Sequence, residues 1–137
     1  PSSLCFEMSE RQLMEDPGQT LEVLHRLRQL GVRLAIDDFG TGYSSMPYLR
    51  ELPVDEVKID RRFVSDLEAG DDTIARSVID LGHNLGLHVV AEGVESAAAL
   101  ERLRELGCDS AQGYHLGMPM PLPDLEAFLV ERRTTPV

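Results

Sequence analysis

Five apolar runs in this sequence each close on a polar or charged side chain. Leu4-Cys5-Phe6 ends at Glu7, and Val32 to Ile36 ends at the pair Asp37-Asp38. Val54 to Ile59 carries Lys58 and leads into Asp60. His88 to Ala91 ends at Glu92 with Glu95 soon after, and Cys108 to Ala111 ends at Gln112. One acid in such a place is as readily a solvated surface group. The same placement repeated along the chain points to side chains that converge. Two carboxylates 4 Å apart repel by roughly 4 kcal/mol at an effective dielectric near 20, so converging acids need cations or must take up protons. Oxygen donors favour hard ions such as Mg²⁺, Mn²⁺ or Ca²⁺ over zinc, which prefers Cys and His. The adjacent Asp37 and Asp38 could serve two ions, and two-metal sites commonly hydrolyse phosphate esters.

The stretch Asp38-Phe39-Gly40-Thr41-Gly42-Tyr43-Ser44-Ser45 follows the Asp pair directly. It reads either as a turn with Ser45 capping a helix or as a loop whose glycines let backbone approach phosphate or metal ligands. His25 and His83 fall on predicted helices and read as filler. His88 lies in a strand away from the acids, and His115 after Gln112-Gly-Tyr has the better chance of touching a ligand. The spacing suggests no Ser-His-Asp or Cys-His arrangement. Glu68 to Asp72 reads as a solvated turn and helix cap, and Arg61-Arg62 as a solvated pair from which Arg61 could reach a phosphate.

The elements that must position these groups alternate. Leu21, Leu24, Leu27 and Leu30 share one face of a helix over 17–30. Asp16 suits its N-cap, Pro17 its first position, Gln19 a capping box and Gly31 its C-terminal cap. Further helices are predicted over 45–51, over 72–85 with Gly86 as the stop, from Ser96 to before Gly107, and over 123–132. Together with the apolar runs these make five β-α units, which imply a parallel sheet with helices outside it. A closed (β/α)8 barrel takes about 250 residues, so five units read as a partial TIM-type barrel, with a smaller open α/β sheet as the alternative. In parallel α/β folds binding groups collect at the C-terminal strand ends, where the acids lie. Lys58 and Asp60 are two apart and share one strand face, while Ile59 takes the other.

With 137 residues, 42% of them hydrophobic, the chain is long enough for one domain with a real core. The formal net charge of −11 argues against non-specific DNA binding and against docking on anionic lipid. Metal cations in the site would still let an acidic protein hold a phosphate ligand. Cys5 and Cys108 show no metal or redox spacing and are expected to be buried reduced thiols, in keeping with a cytoplasmic protein. No apolar run approaches the roughly 20 residues of a membrane helix.

Taken together, Glu7-Met-Ser-Glu10, Leu34-Ala-Ile-Asp-Asp-Phe-Gly-Thr-Gly-Tyr-Ser-Ser45, Val57-Lys-Ile-Asp60, Val90-Ala-Glu-Gly-Val-Glu95 and Gly107-Cys-Asp-Ser-Ala-Gln-Gly-Tyr114 resemble the EAL domain family in order and spacing. The resemblance implies hydrolysis of cyclic di-GMP to a linear dinucleotide in a modified (β/α)8 barrel with two Mg²⁺ or Mn²⁺ ions, Ca²⁺ being inhibitory. It implies Glu7, Asp37, Asp38 and Glu92 as metal ligands, with Asp37 bridging the ions. Lys58 would orient or help deprotonate the attacking water, and Asp60 would partner metal-bound waters. Glu10 would hold the Asp38 to Ser45 loop. Glu95, Gln112 and the loop residues Gly40, Thr41 and Gly42 would line the pocket. The Glu-Ala-Leu string that names the family is not among these residues, nor is the Asn ligand expected between it and Glu7. The resemblance therefore implies the C-terminal portion of such a domain over 1–131, with a tail over 132–137. Met118 and Ala99 also depart from the usual pattern.

Two other readings stand beside hydrolysis. One is a catalytically incompetent cyclic di-GMP binding or regulatory module. The other is a half-barrel that oligomerises to cover its open sheet edges, or that packs against a missing N-terminal half. A parent protein could add sensor or diguanylate cyclase domains, and could be membrane-anchored through them.

Overall fold

The structure, a computed structural model, describes residues 2–40 and 46–134 of the chain. Five parallel strands pair in sequence order: β1 (Cys5–Ser9), β2 (Arg33–Phe39), β3 (Glu56–Ile59), β4 (His88–Ala91) and β5 (Ser110–Ala111). The helices between them are α1 (Glu10–Glu15), α2 (Pro17–Gln29), α3 (Met46–Glu51), α4 (Arg61–Asp66), α5 (Thr73–Asn84) and α6 (Ala97–Glu105), and α7 (Leu122–Thr134) follows β5. A single 3-10 turn, Leu67–Ala69, joins α4 to α5. The chain is therefore an α/β protein of the expected alternating, parallel kind.

Strand register sorts the side chains into two faces. Ile36, Val57 and Val89 are aligned neighbours, as are Phe39, Ile59, Ala91 and Ala111. These residues, with Leu34, face the helices. All but the half-buried Ala111 belong to one buried core together with Leu24, Val64, Ile79 and Leu103. The period of two puts Glu7, Asp37, Lys58 and Glu92 on the other face. One face is thus an apolar floor for the helices and the other carries polar groups toward its C-terminal rim.

Local chemistry explains most helix ends. Asp16 caps α2 by accepting from the Gln19 amide at 3.1 Å, and Pro17 opens that helix. Leu24 is buried on its inner face, but Leu30 has already left the helix and is exposed. Ser96 caps α6 as expected. The complete capping box is at α1, where Ser9 and Gln12 bond each other reciprocally. Sequence reading missed α1 and α4 because each has only six residues, too short for an apolar period to show. The third strand begins at Glu56, not Val54, and the fifth shrinks to Ser110–Ala111.

The thiols differ from expectation. Both cysteines are free, but Cys5 is exposed on the edge strand β1 and Cys108 is only half-buried. The Cys5 Sγ turns to Glu56 Oε1 at 3.3 Å, and its pKa is pushed up to about 11 by partial desolvation of the sulfur and by that carboxylate. Apolar side chains stay exposed at the β1 edge, at Leu4 and Phe6, and along α7, at Leu122, Leu125, Leu129 and Val130. Among the described residues no helix is long and apolar enough to cross a membrane.

The end of the sheet opposite the acids holds a polar cluster that spacing did not suggest. Asp109 Oδ2 accepts from the Val89 amide at 2.8 Å and lies 3.0 Å from His83 Nε2. His88 Nε2 lies 2.7 Å from Ser110 Oγ, while its Nδ1 is 3.9 Å from Asp109, beyond hydrogen-bond reach. The cluster therefore ties α5, β4 and β5 together and is not a linked Ser-His-Asp relay. Partial burial raises the Asp109 pKa, but the Val89 amide and His83 lower it further, so it ends below the usual aspartate range. A depressed carboxylate contributes stability above its unfolded pKa and loses it as pH falls through the folded value. Asp109→Asn should lower the denaturation midpoint at pH 7 and flatten the acid limb of the stability curve between neutral pH and pH 3. A variant whose midpoint tracks the unsubstituted chain at every pH would contradict this role.

Candidate functional site

The C-terminal rim of the polar face gathers side chains from all five strands or the turns just after them. The Asp37-Asp38 pair owes its geometry to a β-bulge. Ile36 aligns with Val57 and Phe39 with Ile59, so two residues of β2 stand opposite the single Lys58. Asp38 takes a left-handed conformation, φ 54°, and its amide bonds Asp37 Oδ1 at 2.9 Å. That conformation costs an L-residue about 1–2 kcal/mol. In a regular strand consecutive side chains point to opposite faces. The bulge releases Asp38 from that alternation and lets its carboxyl meet Asp60.

Lys58 lies at the centre of the rim and is 5% exposed. Its Nζ donates to Glu7 Oε1 at 2.7 Å and pairs with Glu92 Oε1. Glu92 Oε1 also accepts from Gln112 Nε2 at 2.8 Å. One continuous polar chain thus crosses from β1 through β3 and β4 to the end of β5. Burial pulls the Lys58 pKa down, but the bonds to Glu7 and Glu92 outweigh it and hold the ammonium above the ordinary lysine range. The turn carrying Gln112 is pinned by Gly113, because a Cβ there would meet Val94 N and O at 2.2 Å. Glu92, Glu95 and Gln112 line one cleft of about 460 Å³ with Arg61 and Tyr114.

A second group forms at Asp38, Asp60 and Arg62. Asp60 ends β3 and caps α4. Its Oδ1 accepts the Arg62 amide at 2.7 Å, and its Oδ2 accepts Arg62 Nε at 3.1 Å and a terminal guanidinium nitrogen at 2.9 Å. Burial alone would raise the Asp60 pKa, but the Arg62 bonds draw it below the usual range. Asp38 moves the other way, raised first by partial burial and then by the negative charges of Asp37 and Asp60. The reading of Arg61-Arg62 as a solvated pair fits the exposure of both side chains but did not foresee the ion pair of Arg62 with Asp60. The available signal was its place two residues after an acid at a strand end, where a helix N-cap bonds its N2 amide.

Glu10 is buried in the first turn of α1. Gly40 closes β2 with φ 97°, and a Cβ there would meet Val78 Cγ2 at 2.8 Å. The expected roles of Thr41 and Gly42, and of the loop that Glu10 would hold, lie outside the described residues.

The acids gather at one rim, but they meet in two groups, each neutralised by a basic side chain. Glu7 and Glu92 meet across Lys58, and Asp38 and Asp60 meet beside Arg62. Among the described residues no three His, Cys, Asp or Glu side chains are close enough together to hold a metal ion. The donor chemistry nonetheless suits a hard cation. Every donor is oxygen, and the Asp38 pKa is raised first by partial burial and then by the charges of Asp37 and Asp60.

The model of the EAL domain matches residues 1–119. The chain is 51% identical over 130 residues to the cyclic di-GMP phosphodiesterase NbdA of Pseudomonas aeruginosa, covering 91% of this chain and 17% of that protein. A structure described as the PaMucR phosphodiesterase in complex with c-di-GMP superposes with a TM-score of 0.85 at 48% identity, covering 91% of this chain and 51% of that one. A manganese/cy-diGMP complex of Klebsiella pneumoniae BlrP1 superposes with a TM-score of 0.73 at 35% identity, over 83% of this chain and 30% of that one. The chain therefore spans about a sixth of NbdA and about half of the PaMucR chain.

The Lys58 ammonium is the positive charge that lets Glu7 and Glu92 lie together. Lys58→Met should cost on the order of 2 kcal/mol at pH 7 in urea unfolding, because it leaves two acids facing an apolar side chain. The loss should shrink in about 1 M salt, which screens the repulsion left between the two acids. Equal losses at low and high salt would show that only packing was removed.

Proposed function

This chain belongs to the EAL domain family, and from that premise we propose that it supplies the C-terminal part of the active site of a metal-dependent cyclic di-GMP phosphodiesterase. Residues 1–131 would serve as the C-terminal portion of the domain, and α7 carries its helix on to Thr134, past the start expected for the tail over 132–137. The observation that carries the reading is the rim itself. Glu7, Asp37, Asp38, Lys58, Asp60, Glu92 and Gln112 stand on neighbouring strands in the order of the family motifs, with Glu95 in the same cleft. The c-di-GMP complex of PaMucR and the manganese complex of BlrP1 support the choice of ligand and ion.

Glu7, Asp37, Asp38 and Glu92 would hold two Mg²⁺ or Mn²⁺ ions, with Ca²⁺ as a non-productive substitute. Bound ions neutralise a phosphodiester, lower the pKa of water and stabilise charge in an in-line displacement. The chain's own residues then have defined tasks. Without an ion, Glu7 and Glu92 hold Lys58 as an ammonium, a donor that can orient water or a phosphoryl oxygen. With the two glutamates engaged in holding ions, Lys58 would lose those partners and be left able to help deprotonate the attacking water. Gln112 fixes the carboxylate plane of Glu92. Asp60 accepts hydrogen bonds at the rim, and Gly93, with φ 69°, lets the Glu92 turn pass Arg61, whose Cβ would lie 2.5 Å from an added methyl. The remainder of a parent protein is where a sensor or diguanylate cyclase domain would sit.

In the complete domain, Asp37→Asn should abolish Mg²⁺-dependent hydrolysis of cyclic di-GMP, a loss of at least 100-fold on the scale of removing a group that acts only in the transition state. Unchanged turnover would refute the metal role. Binding of cyclic di-GMP without turnover in the unsubstituted domain would favour a receptor. The exposed apolar residues beside β1 and on α7 would pack on the N-terminal half of the domain or on a second copy. Sedimentation of this chain alone should show a dimer or larger species, and a well-folded monomer would contradict that packing.

A further inference from the structure

Arg62 and Lys58 both neutralise rim acids, but they do so in different ways. Lys58 is buried, 6% exposed at its side chain, and is held by acids on two sides. Arg62 is 67% exposed at its side chain, against 10% for the Asp60 carboxylate it covers. A carboxylate offers about four acceptor positions. Arg62 fills three at Asp60, one on Oδ1 with its backbone amide and two on Oδ2 with its guanidinium. At most one position, on Oδ1, is left for an ion or an ion-bound water unless a donor leaves. The backbone amide is fixed by the N-cap of α4. The guanidinium is the donor that can leave, because its side chain is solvent-exposed. It also has somewhere to go. A cleft of about 540 Å³ lies beside it, lined by Arg62, Arg11, Asp38, Gly40, Phe63 and Ile74.

We propose that Arg62 is a tethered counter-ion that competes with divalent cations for the Asp38–Asp60 carboxylates and is displaced into the adjacent cleft when a cation occupies the rim. The inference rests on the metal-binding reading of the rim and adds a regulatory element to it. The chain carries its own competitor, which sets the cation concentration at which the site fills. It also reverses the sign expected of a supporting residue. A side chain that merely oriented Asp60 would weaken cation binding when removed, whereas a competitor strengthens it.

Mn²⁺ binding to the complete domain, followed by electron paramagnetic resonance of the free ion and by calorimetry, separates these outcomes without any activity assay. Arg62→Gln should tighten Mn²⁺ binding about threefold to tenfold, the range set by a charge-assisted but exposed ion pair. Arg62→Lys keeps the charge and loses the two-point grip, so it should fall between. Arg104→Gln makes the same change in net charge on α6, on an exposed side chain paired with Glu101, and should shift affinity less than twofold, as expected for screened charge. Equal gains in the Arg104 and Arg62 variants would reduce the effect to net charge and overturn the proposal. Weaker or unchanged binding in Arg62→Gln would make Arg62 a supporting residue and overturn it too. Absence of Mn²⁺ binding in every form would overturn the metal reading of the rim, and the competitor with it.

Discussion

Like charge at the rim is the constraint around which the rest of this molecule is arranged. Strand alternation and parallel register deliver acids from β1, β2, β3 and β4 to one end of one face, and nothing in a hydrophobic core can neutralise them. Lys58 resolves half of the problem from within the sheet, between Glu7 and Glu92. Arg62 resolves the other half from the first turn of α4, against Asp60. A buried charge survives only with its partners present, so the polar chain from Glu7 to Gln112 is a condition of the fold as well as a site.

The opposite face shows why such a site can exist at all. Val57, Ile59, Val89 and Ala91 are fully buried or nearly so under the helices, and they make a stiff floor for the strands. Lys58 is flanked in sequence by two of these residues and is held at a fixed height by them. The bulge at Asp37-Asp38 is the one break in the regular ladder between β2 and β3. It sets two acids, Asp37 and Asp38, opposite the single Lys58. Its left-handed Asp38 stores strain that the neighbouring register, Ile36 with Val57 and Phe39 with Ile59, holds in place.

The two ends of the sheet divide stability from chemistry. At the far end Asp109 satisfies an amide of β4 and reaches His83 on α5, while Glu56 binds Arg33 and the Cys5 thiol. These contacts close local hydrogen-bond accounts. At the rim the acids outnumber the bases, and the pKa values of Asp38 and Lys58 are raised while that of Asp60 is lowered.

Much of this was legible in the residues themselves. Apolar runs ending in acids, separated by helical periods with Asp16, Pro17 and Ser96 as start signals, determine a parallel α/β alternation and place Glu7, Asp37, Lys58 and Glu92 at strand ends. Those signals are local and repeat along the chain, so they need no coordinates. The six-residue helices α1 and α4, the exposure of Cys5 and the pairing of Arg62 with Asp60 were not legible. Each depends on what lies across the sheet or around a turn, and one-dimensional spacing carries no such distance. The partner of each acid was likewise a tertiary decision. The sequence says that the acids need positive charge, but only the register of β1 on β2 on β3 on β4 decides that Lys58 reaches both Glu7 and Glu92. Only the turn after β3 decides that Arg62 covers Asp60.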